Sequence, residues 1–447
     1  MKIVVTGDFC PRERVAKDFV QGDYRAIDVL TPIFAEADYS IVNLECPIVR
    51  GGEKPIVKNG SHLHADTRAL KALKGIGTRC VTLANNHFRD FGDEGVLNTL
   101  SELSAYGIDY VGGGASLIDA AAVLYKKIGK ETLAIVNCCE HESSIATADH
   151  CGSNPLNPIQ QYYAIKEAKQ KADYVLVIVH GGVEHYQLPT PWMQETYRFF
   201  IDVGADAVIN HHQHCYSGYE IYQGKPIFYG LGNLCFDKSD KRNSIWNEGF
   251  LLELDLRGTK TQINTADAAI NTDKQKNYNE NTESLDTCST PNGIGHQSVN
   301  EQDSLQPNAQ SCLIDSVAQS LSNDSEKNTK NISFSISFRL IPYNQCDAEA
   351  MVVMCDEAEQ KDFEKSIAEL NAIIADPAEL HVQYQKLLGE TRMRYRGHIE
   401  PYRSRIARYL FRKGWLPSFM RKKYTIVENM IQCESHRERL LEALKSE

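Results

Sequence analysis

The stretch "ADAVINHHQHCYSGYE" places His211, His212 and His214 within four positions, directly after a short apolar run. The chain has only fourteen histidines. Imidazole is the commonest protein ligand for transition metals, so three of them at the end of a predicted strand pose a definite question: what else completes a metal site? In an extended segment the HxH spacing points His212 and His214 to one side and His211 to the other. The pair is then the ligand set, with His211 as a supporting neighbour.

In open α/β sheets, ligands gather beyond the carboxyl ends of the strands. The strand-like run "KIVVTGDF" ends with Asp8, "YSIVNLE" (39–45) carries Asn43 and Glu45, and "RCVTLANNH" (79–87) carries Asn85, Asn86 and His87. "YVLVIVH" (174–180) ends at His180 before a Gly-Gly pair, and "DAVINH" (206–211) ends at the histidine cluster. Each residue alone has an ordinary reading: Asp8 as a helix cap, a strand-end histidine as a structural group, Asn85-Asn86 as a turn. Five such endings at one sheet edge together predict a metal-binding edge. Carboxylate, carboxamide and imidazole donors suit Mn²⁺, Fe²⁺ or Zn²⁺ better than a thiolate site does.

The elements that position these residues alternate between strand and helix. Further strand patterns cover "DYVGGG" (109–114) and "TLAIVN" (132–137), and helical patterns lie at 66–76, 93–106, 159–171 and 191–203. Near-continuous apolar strands with helical crossovers imply an α/β core, its sheet buried under helices. After His214 the pattern turns antiparallel: "GYEIYQGKPIFYGLGN" reads as a hairpin turning at Gly224-Lys225, followed by "EGFLLELDL" (248–256). The organisation expected is a core at 1–257, a polar insertion at 258–330, a strand returning to the core within 331–353, and a helical extension at 354–447. The insertion is rich in Asn, Gln, Ser, Asp and Thr, which bury too little apolar surface to offset ordering entropy, so it reads as disordered.

A formal net charge of −11 argues against nucleic acid as a partner. Thirteen cysteines without a CxxC pair point to reduced thiols. No apolar stretch of about 18 residues exists, and the expectation is a cytoplasmic protein. Residues 391–423 nevertheless hold eleven Lys or Arg against the single acid Glu400, interleaved with Tyr402, Ile406, Leu410, Phe411, Trp415, Leu416 and Phe419. Such a segment either packs its apolar face on the core or lies on the inner face of an anionic membrane.

The order Asp, carboxylate, Asn-His, His, HxH resembles the calcineurin-like metallophosphoesterases. Longer stretches, "VNLECPI", "LANNHFRDFGDEGVLNTLSEL", "VIVHGGVEHY", "VGADAVINHHQH" and "FYGLGNLCFD", resemble the CapA family of bacterial capsule synthesis and poly-γ-glutamate biosynthesis proteins within that superfamily. The resemblance covers about 1–256 and implies a metallophosphoesterase-like layered α/β core, its sheets flanked by helices, with a two-metal site. Glu45 would bridge; Asn86, His180 and His212 would complete one metal; Asp8 and His214 would hold the other. His87 would protonate the leaving group or contact a phosphate oxygen. Asn43, Asn85, Glu184 and Asn233 are expected at the substrate, with a solvated loop the equal alternative for Glu184; Gly230–Asn233 would close the site or simply form a tight turn. Cys10 stands where the superfamily's DxH motif has histidine, either a ligand or an inert buried thiol. Asn210 and Gln213 replace Gly and Pro of the usual GHHPH, and Gly181 replaces the aromatic of HWG, which is expected to open the pocket.

The function expected is a metal-dependent hydrolase of capsule or exopolymer biosynthesis, acting on a phosphoester or amide bond of an anionic polymer or phosphorylated precursor. The competing expectation is a non-catalytic accessory factor of a membrane-bound capsule synthase.

Overall fold

The computed structural model describes residues 1–58, 60–261, 333–399, 401–402 and 404–418. The expected disorder of 258–330 falls almost wholly outside these residues, as do Phe419 and the last helical pattern. Contacts group Met1–Leu256 with Ser337 onward in one unit, separate from Arg257–Ile336.

Two sheets, not one, form the core of the first unit. The first contains β1 (Lys2–Phe9), β2 (Tyr39–Leu44), β3 (Cys80–Thr82) and β4 (Asp109–Val111), adjacent in that order. A short pair, β5 (Gly113–Gly114) with β8 (Gly152–Ser153), stands apart. The second sheet contains β6 (Leu124–Ile128), β7 (Glu131–Cys139), β9 (Tyr174–His180), β10 (Ala207–His211), β11 (Tyr219–Tyr222) and β12 (Lys225–Phe228), in the order β11-β12-β10-β9-β7-β6. The chain then returns to the first sheet through β13 (Asn233–Cys235), parallel to β1, and β14 (Glu248–Thr261), antiparallel to it. Beyond β14 lie β15 (Ser333–Gln345) and then β16 (Val352–Met354).

The central strands of both sheets run parallel: β1 with β2, β2 with β3, and β7, β9 and β10 side by side. All seven residues of β9 are buried, which is why that strand reads as a continuous apolar run rather than an alternation. Val4, Val42 and Val81 of the first sheet share a core with Phe19, Leu70, Leu73 and Leu103 of its helices. Val175, Val177 and Val179 of the second share another with Ile165, Met193, Tyr197 and Phe200. Each sheet is therefore helix-covered on one face. Polar bonds join the sheets to each other: Ala84 N donates to Asn137 Oδ1 at 2.9 Å, and His211 Nε2 lies 2.8 Å from Thr6 O.

The main helices, Thr67–Gly75, Gly92–Tyr106, Pro158–Lys171 and Pro191–Val203, lie where the apolar periodicity put them. Asp66, Asn157 and Thr190 cap three of them by accepting backbone N–H groups, each cap contributing about 1 kcal/mol. The hairpin turns one residue earlier than expected, at Gln223-Gly224, both with positive φ, the backbone a two-residue hairpin loop requires. β15 rejoins the sheet beside β14, and β16 pairs with its last three residues, Tyr343 to Gln345. The helical extension breaks at Pro377 into Glu357–Ala375 and Pro377–Ile399, followed by Arg405–Arg412.

Candidate metal centre

The predicted residues meet at the seam between the two sheets rather than along one edge. Asp8, Glu45 and Asn86 come from the ends of β1, β2 and β3; His180, His212 and His214 come from the ends of β9 and β10. All six are buried. Asn86 Oδ1 and His212 Nδ1 each lie 3.1 Å from His180 Nε2, and Glu45 Oε1 lies 3.6 Å from the same nitrogen. On the other side of Glu45, His214 Nε2 is 3.6 Å from Oε1 and His214 Nδ1 is 3.5 Å from Asp8 Oδ2. Glu45 thus belongs to two groups of potential donors, one with His180 and His212, the other with Asp8 and His214.

This arrangement fits a divalent cation. Both Glu45 oxygens are buried without a hydrogen-bond partner, a costly state for a carboxylate unless a cation completes it. Burial first, and the nearby Asp8 next, push the Glu45 carboxyl well above its ordinary range. Burial, followed by the neighbouring His212, holds His180 and His214 well below the usual imidazole value. Neutral imidazoles are the form that ligates metal. His214 Nδ1 donates to Asn233 Oδ1 at 2.9 Å, which leaves the Nε2 lone pair facing Glu45.

The backbone at the histidine cluster is not extended. His212 and His214 have φ of 92° and 54°, a region non-glycine residues occupy at a cost of about 1–3 kcal/mol. A strained turn, not the alternation of an extended HxH segment, aims the two rings. His211, still within β10, is the structural member, bonded to Thr6 O across the seam.

Three residues expected at the substrate have other work. Asn85 is fully buried, with Nδ2 donating to Leu44 O and Leu83 O and Oδ1 accepting from His87 N. Asn43 Nδ2 donates to Asp8 Oδ1 at 2.7 Å while its Oδ1 accepts from Thr82. Asn233 orients His214. Their amides are committed to hydrogen bonds within the protein. Glu184 is exposed and close enough to raise the Glu45 carboxyl.

Cys10 is buried, its thiol pushed up by burial and by a hydrogen bond with Cys46, and it belongs to neither donor group. Asn210 donates to Gly181 O and Tyr229 O and accepts from Tyr197; Gln213 Nε2 donates to Tyr186 O. Both departures from the family pattern stitch the loops after β9 and β10. Gly181 does not open a pocket: a Cβ there would lie 2.7 Å from Glu140 Cγ, so a carboxylate side chain occupies the space.

His87 stands beside the centre with Nδ1 2.7 Å from Asp90 Oδ2. Lys58 Nζ lies 3.1 Å from the same nitrogen and pairs directly with Asp90 Oδ1. Nδ1 cannot both donate and accept; the shorter contact assigns its proton to Asp90 and frees Nε2 for substrate. Burial lowers His87 below its usual value, against the opposing pull of Asp90. Asp90 was legible as the i+3 partner in "HFRD". Lys58, Glu140 (beside His212) and Glu142, which accepts from Asn86 Nδ2 at 3.5 Å, come from loops without such a signal.

Fold and site together define a layered α/β protein with a buried histidine–carboxylate cluster, able to hold a metal, at a sheet seam. The family model for the bacterial capsule synthesis protein PGA_cap matches residues 2–238, and the chain belongs to that family. It is 31% identical over 208 residues to the capsule biosynthesis protein CapA of Bacillus anthracis, covering 45% of this chain and 50% of that protein. It is 34% identical over 180 residues to the PGA biosynthesis protein CapA of Bacillus subtilis (strain 168), covering 40% and 47%. The chain thus spans about half the length of these relatives. A solved structure described as a novel phosphatase of Mycoplasma pneumoniae is matched over 57% of this chain and 86% of its own, at 15% identity and a TM-score of 0.35, too loose a likeness to carry chemistry.

Proposed function

We propose that the protein is a metal-dependent hydrolase of capsule or exopolymer biosynthesis, cleaving a phosphoester or a γ-glutamyl amide bond of an anionic substrate. One observation carries the reading: Glu45, buried without a hydrogen-bond partner, lies between the His180–His212 pair on one side and His214 with Asp8 on the other. Asn86, His180 and His212 would hold one ion, Asp8 and His214 the other, with Glu45 shared. Ions there would activate water and stabilise the attacking and leaving oxygens. His87, fixed by Asp90, presents Nε2 for proton transfer to the leaving group. The relatives' names, capsule and PGA biosynthesis, supply the biological setting.

Metal analysis of protein purified without chelator tests the centre. The expected result is at least one equivalent of Mn, Fe or Zn, falling below about 0.2 equivalents in His212→Ala, because losing a donor typically costs well over tenfold in affinity. Metal-free wild type, or a variant with unchanged metal content, overturns the reading. A panel of phosphomonoesters, phosphodiesters and γ-glutamyl peptides then identifies the bond cleaved.

A second reading, an accessory factor docked on a membrane-bound synthase, draws on the tail. No helix among the described residues is long and apolar enough to cross a membrane. On and after Arg405–Arg412, however, Ile406, Tyr409 and Trp415 are 73%, 51% and 74% exposed among Arg405, Arg408, Arg412 and Lys413. Apolar side chains interleaved with cations suit an anionic bilayer. Co-sedimentation with phosphatidylglycerol vesicles is expected to fall at least fivefold in Ile406→Ser/Trp415→Ser; unchanged binding, or none in wild type, excludes the membrane role.

A further inference from the structure

The mouth of the centre carries a second constellation that the two ion positions do not use. Trp246 packs against His214 with ring centroids 4.6 Å apart and the rings tilted by 39°. It is held there by Nε1 donating to Phe236 O at 2.8 Å, while its carbonyl accepts from Asn233 Nδ2 and Gln345 Nε2. Lys238 Nζ sits 5.0 Å from the Trp246 ring centroid. The His185 ring lies 5.6 Å from the Trp246 ring and 6.4 Å from that of His214. Lys241 Nζ is 3.3 Å from His185 Nε2. His185 is held in a left-handed conformation, φ 62°, with its N–H donated to Gln213 O at 2.8 Å, so the loop after β9 is anchored to the ligand turn itself.

Both lysines are half-buried, and among the described residues neither ion-pairs with a carboxylate. Two ammonium groups are instead turned toward an aromatic face and an imidazole, beside a centre that would itself be cationic when loaded. Glu184 is the acid nearby, acting on His185 and Glu45, but it pairs with neither lysine; cations left unpaired at a mouth favour an anion there and raise its local concentration.

We propose that His185, Lys238 and Lys241 form an oxyanion subsite, with Trp246 as its floor, for a carboxylate or phosphate on the substrate adjacent to the bond held at the ions. This deepens the hydrolase reading above and rests on it for the position of the scissile bond. The subsite selects substrates carrying a second anion next to the reacting group. A repeating polyanion satisfies that requirement at every unit, and a phosphorylated precursor satisfies it once.

The test titrates Mn²⁺-loaded full-length protein calorimetrically at low ionic strength, with metal content measured in parallel. A γ-linked triglutamate is compared with its α-amidated counterpart, and fructose 1,6-bisphosphate with fructose 6-phosphate, so that each pair isolates the extra anion from one source. The expected result is that the extra anion tightens binding about fivefold or more in at least one pair. That advantage disappears in Lys238→Ala/Lys241→Ala and persists in Lys238→Arg/Lys241→Arg, with metal content unchanged. No advantage in wild type for either pair, or an advantage retained by the alanine variant, overturns the subsite. Wild type that carries no metal sinks the hydrolase reading separately; the same substitution, read on that protein, still decides the rim.

Discussion

Glu45→Gln is expected to abolish metal binding and, in the same protein, to raise the melting temperature measured in chelator. The two halves come from one fact: both carboxylate oxygens are buried without a partner. With ions present, that charge is the shared donor, and its removal costs more than the 10–100-fold typical of groups that merely support a ligand. Without ions, the charge is uncompensated, and replacing it with a neutral amide recovers about 1–3 kcal/mol, a rise of roughly 2–6 °C.

The pH dependence follows in sign. Burial raises Glu45 above its ordinary 4.5, so stability tied to its protonated form is present below that pH and lost as pH rises through the folded value. His180 and His214 are lowered from 6.5; stability tied to their neutral forms is present above 6.5 and lost as pH falls through their folded values. The stability of chelated wild type should therefore fall progressively behind that of Glu45→Gln as pH rises above 4.5 toward the folded value of Glu45, and added Mn²⁺ should suppress that dependence in wild type alone. Wild-type metal content in the variant would refute the shared position of Glu45, and a lower melting temperature in chelator would refute the uncompensated charge.

Asp90→Asn is expected to cost turnover and stability together, with metal content intact. Asp90 is fully buried and accepts from Lys58 Nζ, from His87 Nδ1 and from Leu63 N, the last two at 2.7 Å. Asparagine cannot fix the His87 tautomer in the same way, so kcat on whichever panel substrate is cleaved should fall about 10²–10⁴-fold, the range of acid–base catalysis. It also strands the Lys58 ammonium, 7% exposed, at a cost of about 3–5 kcal/mol. Adding Lys58→Met should restore most of that stability in a denaturant melt without restoring turnover. A single variant that is both stable and fully active contradicts the assignment of Asp90 as the positioning residue.

The strands that end in ligands were legible because each is a buried parallel strand, written as an unbroken apolar run that stops at its polar residue: "YVLVIVH" is β9 residue for residue. The resemblance implied more than one sheet, but which run belongs to which was not legible. Nothing local distinguishes β2 beside β1 from β10 beside β9, and the return of β13 to β1 links Asp8 with Asn233 across more than two hundred residues. The donor set survived this error because a seam and an edge collect the same strand ends. The hydrogen bonds of Asn43, Asn85 and Asn233 were not legible, since an amide near a site reads alike whether it faces substrate or a neighbouring side chain. Lys58 and Trp246 escaped notice for a related reason: loop residues carry no periodicity, and only the folded chain reveals what they lie against.

The donors divide three and three: Asp8, Glu45 and Asn86 from one sheet, His180, His212 and His214 from the other. A centre split in that way is also a clasp. Each sheet has its own helix-backed core and can complete most of its packing before any ion arrives, so ion loading should tighten the joint between the sheets more than either sheet itself. Slowed amide exchange is then expected first at the ends of β1 and β10, the two strands His211 already ties together. In such a protein, the cellular supply of metal would set how firmly the two halves are held, as well as whether the centre can react.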